Sequence, residues 1–596
     1  MRRKYTIYAP LFLILYDERL CKSDTCNNRE DMARKRSSHG RGRGKKEKKV
    51  FPQVVGRVQM TREGYAFVIV DGEEDDVFVK ASKTRGALHG DTVRVSVTRE
   101  KMDRQRREGE IVEIIQRSPK PFIGILHIVA NQAWVLMQSR FMPYDITIPF
   151  TESDKERYRR HKVRNRSVEE QKDETGYLKP LGDDMFASHR VFELGEDGYG
   201  KQEMKVRSGM KVAAVVDDWP RHEMSPRGHI VDVLGEPGEN DTEMHAILAE
   251  YALPYRFESE VANAADRIPE EITAEDLKGR RDFRNVLTFT IDPKDAKDFD
   301  DALSFKKLDN GNYEVGVHIA DVTHYVTPGT IIDREAENRA TSIYLVDRTI
   351  PMLPEHLCNF ICSLRPDEEK LAFSCVFEMN DRAQVLDYKI ARTVICSNRR
   401  FTYEEAQEVI ETRKGEYVDE ILTLDRLAKI LRAERYENGS VDFDRVEVRF
   451  DIDETGHPTG VYFKESKDAN KLIEEFMLLA NKTVAKTIGL PDNKKKPKAF
   501  VYRVHDMPDP EKLSDLCTQS RIFGYKVKDT GTPQEVNGSI NKLLKDVKGK
   551  GEENFLSTLA LRAMAKAVYT TENIGHYGLG FEFYTHFTSP IRRYPD

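Results

Sequence analysis

The sequence predicts a multidomain α+β chain, with two small β-barrels in its N-terminal part and a mixed α/β domain filling the C-terminal half. Three observations carry that reading. Between about residues 50 and 237, short β-branched and aromatic runs recur between Gly, Asp and Lys turns, the signature of small barrels. Beyond about residue 281, strand-like runs mix with amphipathic helices. The clearest helix spans Lys471 to Ile488, where Leu472, Ile473, Phe476, Leu479 and Ala480 form one apolar face. Between two of the strand runs, five aspartates (Asp292, Asp295, Asp298, Asp300 and Asp301) crowd into ten residues.

At 596 residues the chain is long enough for several domains with cores of their own. A formal net charge of −6 with 33% charged residues excludes a globally basic nucleic-acid binder. Basic charge is local instead. Arg34 to Lys49 holds nine Lys or Arg against Glu47 alone, so residues 1–49 read as a disordered basic arm suited to phosphate contact. The run from Asn493 to Lys498 reads as a solvated surface loop. The apolar stretch after MRRK imitates a signal peptide but is too short to span a bilayer, and no small-residue cleavage site follows. Residues 1–31 therefore read as a mis-started or disordered extension ahead of Met32, with no membrane association expected. Seven scattered cysteines form no C-x-x-C pair and no zinc-finger set, which suits free thiols in a reducing cytoplasm.

In chain order, residues 50–118 form the first expected barrel, from GRVQM, GYAFVIVDG, DDVFVKAS and DTVRVSVTRE. Tyr65 and Phe67 are two apart and so share a strand face, with Phe78 on the next strand placed to join them. Exposed rings of this kind stack bases. Residues 119–237 form the second barrel, interrupted by a polar insertion at about 151–205 that reads as a flexible surface loop. Residues 238–280 follow as a helical connector, and 281–596 as the α/β domain.

The acidic loop is the chemical signal. Carboxylates pinned between two strands of a core need compensating cations, and oxygen-only ligation points to Mg²⁺ or Mn²⁺. A calcium helix-loop-helix is excluded, because neither the central Gly nor the Glu at the twelfth position is present.

The runs TIDPKDAKDFDDA, VGVHIADVTHYV, IPMLPEHLCNFICSLRP after Tyr344, KLIEEFMLLAN, YRVHDMP and HFTSPIRRYPD occur in that order from about residue 240 to the end. Together they resemble the catalytic domain of the ribonuclease II/ribonuclease R exoribonucleases, the bacterial ribonuclease R branch above all. The resemblance implies two cold-shock-type OB-fold barrels ahead of an RNB-type α/β catalytic domain. That domain is incomplete at Asp596, where family members continue into a further RNA-binding barrel.

The same resemblance implies a cytoplasmic, Mg²⁺-dependent 3′-to-5′ exoribonuclease (a two-metal site, with Mn²⁺ as the alternative) that yields nucleoside 5′-monophosphates in RNA decay and processing. Single-stranded RNA is the implied partner, with ribosome or RNA-decay machinery beyond it, and the chain is expected to be monomeric. Asp292, Asp298, Asp300 and Asp301 match the family's metal-site pattern D-x5-D-x-D-D, while Asp295 falls outside it as a solvated spare. Asp300 and Arg592 carry the implied catalytic roles, Arg592 beside the scissile phosphate. Tyr344 aligns with the residue clamping the terminal base, Phe443 with its stacking partner, and Glu475 with a ribose contact, its neighbour Glu474 being the alternative. Tyr65, Phe67 and Phe78 align with the aromatic motifs of the cold-shock barrels. A non-catalytic RNA-binding or chaperone protein and a DNA-directed exonuclease are the alternatives. With the downstream barrel missing, Arg592 and Asp596 are expected to fray.

Overall fold

The computed structural model describes residues 51–596, except 150–207 and the short stretches 74, 101–105, 130–131, 140, 221, 442, 444–446, 454–455 and 491–497. The basic arm over 1–49, almost all of the polar insertion and most of the Asn493–Lys498 run lie outside the described residues.

Strands β1 (Gln53–Met60), β2 (Ala66–Ile69), β3 (Val77–Val79), β4 (Thr92–Arg99) and β5 (Glu108–Gln116) close a barrel in the order β1-β2-β3-β5-β4. The period-two pattern sets its inside: Val93, Val95 and Val97 of β4 point into a core shared with Val58, Val68, Val77 and Ile111. Closure depends on Gly109, since a Cβ there would come within 2.6 Å of Val95 and 2.7 Å of Val77. A second barrel follows, from β6 (Phe122–Val129), β7 (Gln132–Met137), β8 (Ile146–Ile148), β9 (Lys211–Asp218) and β10 (Arg227–Gly235), in the order β10-β8-β7-β6-β9. Its strands come from both sides of residues 150–207, around a core of Leu126, Val135, Ile146, Val212 and Ala214. Leu88, from the first barrel, also packs into that core. Helices α1 (Asn240–Glu250) and α2 (Ser259–Asp266) then lead to the α/β domain.

Here β11 (Arg281–Phe283), β12 (Thr288–Asp292), β13 (Asp301–Lys307) and β14 (Tyr313–Ala320) precede α3 (Val322–Tyr325), α4 (Ile331–Arg339) and the small pair β15 (Ile343–Tyr344) and β16 (Thr349–Ile350). A single π turn, His356–Ile361, leads to β17 (Glu369–Met379), β18 (Val385–Cys396) and β19 (Arg399–Thr402). The large strands form one sheet in the order β11-β18-β17-β14-β13-β12-β19. One face is covered by α5 (Tyr403–Thr412), α6 (Val418–Glu437) and α7 (Asp468–Gly489), through Val409, Leu424, Leu427, Leu472 and Phe476. The other is covered by α2, α4 and the π turn, through Val261, Ile332, Leu357 and Ile361. Cys358 and Cys362 belong to that second core, as free thiols.

Covering both faces changes one expectation. Alternation along β14 predicts a half-buried strand, yet its last six residues are all buried. The one imidazole this traps, His318, is satisfied by Ser374 at 2.7 Å and Ser304 at 2.9 Å. The predicted apolar face of α7 is buried throughout, at 7% exposure or less. Downstream lie a hairpin of β20 (Glu447–Ile452) and β21 (Pro458–Lys464), the strand β22 (Tyr502–Val504), the helices α8 (Pro510–Ile522), α9 (Pro533–Val547) and α10 (Glu553–Ala563), and β23 (Val568–Thr570). Among the described residues no helix is long and apolar enough to cross a membrane.

Candidate active site

The acidic loop exists because two paired strands part company. β12 pairs with β13 only at Thr288↔Ser304 and Phe289↔Leu303, after which Ile291 and Asp292 stay in register with Phe401 and Thr402 of β19. The chain between Asp292 and Asp301 must therefore cross the gap as a loop at the end of the sheet. It is braced at three places. The Arg400 guanidinium donates to the carbonyls of Pro293 (2.5 Å) and Lys294 (2.8 Å). The Ser363 hydroxyl donates to Lys297 O (2.8 Å) and accepts from Phe299 N (3.0 Å). Leu364 N donates to Phe299 O and Ala320 N to Asp300 O, both at 2.9 Å.

The aspartates of the loop differ in burial. Asp295 is exposed. Asp300 is 1% exposed, and its carboxylate accepts from Ile591 N (2.8 Å) and from Arg592 Nε (2.6 Å). Burial pushes Asp300 up to about 6 even so, against the pull of Arg592. Burial likewise raises Asp298. Asp292 and Asp301 form a second, mutually repelling pair: burial first, then the neighbouring carboxylates, pushes Asp292 up to about 7 and Asp301 well above the usual range. Burial alone would lower Arg592, but the Asp300 carboxylate, with Tyr344, Asp301 and Asp298 behind it, raises it.

Arg592 reaches this loop from the far end of the chain because the segment carrying it is docked. Ser342 N bonds Arg592 O and Tyr594 N bonds Ala340 O, both at 2.9 Å, which also sets Tyr344 beside Arg592. The Asp596 carboxylate accepts from Tyr569 (2.9 Å), from Ser589 N (3.2 Å) and from His586 (2.6 Å). Arg592 and Asp596, expected to fray, are instead each held by hydrogen bonds.

Four desolvated carboxyls face one partnered guanidinium, and Asp292 Oδ2 is buried without a hydrogen-bond partner. This all-oxygen donor set with an unspent lone pair fits a hard divalent cation. Among the described residues, however, no three His, Cys, Asp or Glu side chains are gathered to ligand spacing.

The expected substrate contacts fare unevenly. Tyr344 is 57% exposed, with its hydroxyl end near Asp298 and Arg592. Tyr65, Phe67 and Phe78 form one cluster, with ring centroids 5.5 to 6.0 Å apart, outside the first barrel's core. Phe78 is only 6% exposed because Arg106 lies over its ring, so Tyr65 and Phe67 are the accessible pair. Phe443 packs against the core that includes Leu513, Ile540 and Leu556, and lines a groove of about 950 Å³ with His505 and Met507. None of the described ring contacts joins it to Tyr344. Glu475 is a correction. It is 3% exposed, and both carboxylate oxygens are taken by Arg435 of α6, at 2.5 to 3.3 Å. A buried carboxylate held this way cannot double as a free ribose acceptor. His505, in the run YRVHDMP, is packed: Nδ1 accepts from Gly578 N (2.8 Å) and Nε2 donates to Ala565 O (2.9 Å).

Ser363, Arg400 and Arg435 were not singled out from the sequence. The first two act on backbone carbonyls and amides, which leave no residue pattern, and the third is identified only by the helix packing opposite it.

Fold and site together define a chain in which two OB barrels precede an RNB-type α/β domain with a carboxylate loop at its sheet end. The RNB domain family matches residues 280–596, the Ribonuclease B OB domain 56–114, and the Cold shock domain 200–258, which spans β9, β10 and α1. This chain belongs to the ribonuclease II/ribonuclease R family. It is 34% identical to ribonuclease R 1 of Lactococcus lactis over 93% of its own length, and spans 62% of that relative. The structure of Mycoplasma genitalium RNase R in complex with ribose-methylated single-stranded RNA superposes with a TM-score of 0.75 at 24% identity, covering 91% of this chain and 78% of that one. Yeast Ssd1, described as a pseudonuclease, shares the fold at a TM-score of 0.59 and 20% identity, covering 91% and 67%.

Proposed function

We propose that this chain is a divalent-cation-dependent exoribonuclease that trims single-stranded RNA from its 3′ end and releases nucleoside 5′-monophosphates, in cytoplasmic RNA decay. The observation that carries the reading is the carboxylate loop. Because a pseudonuclease shares the fold, fold alone does not argue for hydrolysis; four aspartates on one loop, with the buried Asp300 bonded to Arg592, do.

Asp292, Asp298, Asp300 and Asp301 would hold Mg²⁺, as one ion or two. Such a cation supplies an activated water and offsets charge on the phosphate. The chain's own residues do the rest. Arg592, held by Asp300, presents a fixed guanidinium fork to a phosphoryl oxygen. Tyr344 stacks on the terminal base without reading its identity, and Tyr65 and Phe67 offer a second platform upstream.

The test is incubation of uniformly labelled RNA and the matching DNA with Mg²⁺ and with EDTA, followed by chromatography of the products. Mononucleotides from RNA only, and only with Mg²⁺, are expected. RNA binding without cleavage would favour the RNA-binding alternative, and equal DNA cleavage the DNA exonuclease. Tyr344→Ala is expected to leave turnover on long RNA nearly intact but to release longer end products. Short products keep few other contacts, so losing about 1–3 kcal/mol of stacking tells most there. End products of wild-type length on a sequencing gel would remove the clamp.

A further inference from the structure

We propose that Ser363 is a positioning residue for the carboxylate loop, setting the arc of backbone that aims Asp298. The proposal rests on the functional reading above. Ser363 lies at the exit of the π turn, where Cys362 N bonds Leu357 O, five residues back, at 2.9 Å. That extra residue in the turn displaces the chain where it meets the acidic loop, and π turns recur at functional sites.

The side chain is 0% exposed and makes two bonds, one to each side of Asp298: its hydroxyl donates to Lys297 O and accepts from Phe299 N. A serine hydroxyl offers one donor and two acceptor sites, so both neighbours of Asp298 are tied to a single atom anchored in the core. Asp298 itself is not bonded by Ser363. Its carboxylate lies by Tyr344 and Arg592 while its own backbone is held still. The Pro293–Lys294 end of the loop has Arg400, and Asp300 has Ala320 N and Ile591 N. At Lys297 O and Phe299 N the recorded partner is Ser363. Removing its hydroxyl should therefore loosen Asp298 selectively and leave the rest of the loop in place. Outer-sphere partners of metal-ligating groups typically matter about 10- to 100-fold in metal affinity.

A matched control exists in the same domain. Ser374 is also 0% exposed and bonds only within the sheet, to His318 (2.7 Å) and Thr393 (2.6 Å). Its loss lowers stability without touching the loop.

The experiment titrates the full chain with Mn²⁺ alone, following free ion by electron paramagnetic resonance, with no RNA and no turnover. Ser363→Ala is expected to weaken Mn²⁺ binding about 10- to 100-fold, and Ser374→Ala to leave it at the wild-type value although its melting temperature falls. Ser363→Cys, close in size, covers the case in which the alanine variant fails to fold, with an intermediate affinity expected. In Asp298→Asn background, Ser363→Ala should add nothing further, because the two changes act through one carboxylate. Wild-type Mn²⁺ affinity in folded Ser363→Ala, or full additivity with Asp298→Asn, overturns the positioning role alone. No Mn²⁺ binding by the wild-type chain overturns the cation-dependent reading with it.

Discussion

Asp300→Asn is expected to slow RNA hydrolysis by about a hundred- to a thousandfold, the scale of losing one preorganised electrostatic group, with RNA affinity little changed. Asp300 is 1% exposed and does two jobs with one carboxylate. One oxygen takes Ile591 N and the other takes Arg592 Nε. The amide keeps the shape but removes the charge, so the cation site loses a donor and Arg592 loses the partner that fixes it. Binding through Tyr65, Phe67 and Tyr344 does not pass through this group. Asp295→Asn is the internal control, since that side chain lies on the same loop but is exposed. Paired gel-shift and single-turnover degradation assays separate the outcomes. Cleavage by Asp300→Asn at the wild-type rate would remove the loop from the catalytic site, and loss of RNA binding would mean the substitution had unfolded the domain.

Glu475→Ala is expected to cost about 3 kcal/mol of stability, because it leaves the buried Arg435 guanidinium with only the half-exposed Glu474 carboxylate, at 3.5 Å. Glu475 and Arg435 have side-chain exposures of 3% and 7%, and Arg435 also donates to Ser440 at 2.7 Å, joining α6 to α7 and to the segment after α6. Urea unfolding followed by far-ultraviolet circular dichroism measures the loss. A ribose-contact role makes the opposite forecast: unchanged stability with weaker preference for RNA over DNA. That result would overturn the structural assignment.

Glu475 shows how far the motif reading reached. KLIEEFMLLAN correctly marks a helix with Leu472, Ile473, Phe476, Leu479 and Ala480 inward, because helical periodicity is written in the residues themselves. Whether Glu475 faces substrate or a cation depends on Arg435, 40 residues away on another helix. Phe443 repeats the lesson: the sequence identifies an aromatic, and the packing of α8, α9 and α10 decides what it touches.

The sequence by itself determined the two barrels, the α/β domain and the loop of aspartates. Each is a local pattern of alternation, turn residues or clustered charge. Only the tertiary structure decided that Arg592 meets Asp300 across 292 positions, that the segment ending in Asp596 is held by Tyr569 and His586, and that Ser363 and Arg400 brace the loop. Those contacts are made between distant segments, largely to backbone atoms, and buried polar groups must find their partners wherever the folded chain places them.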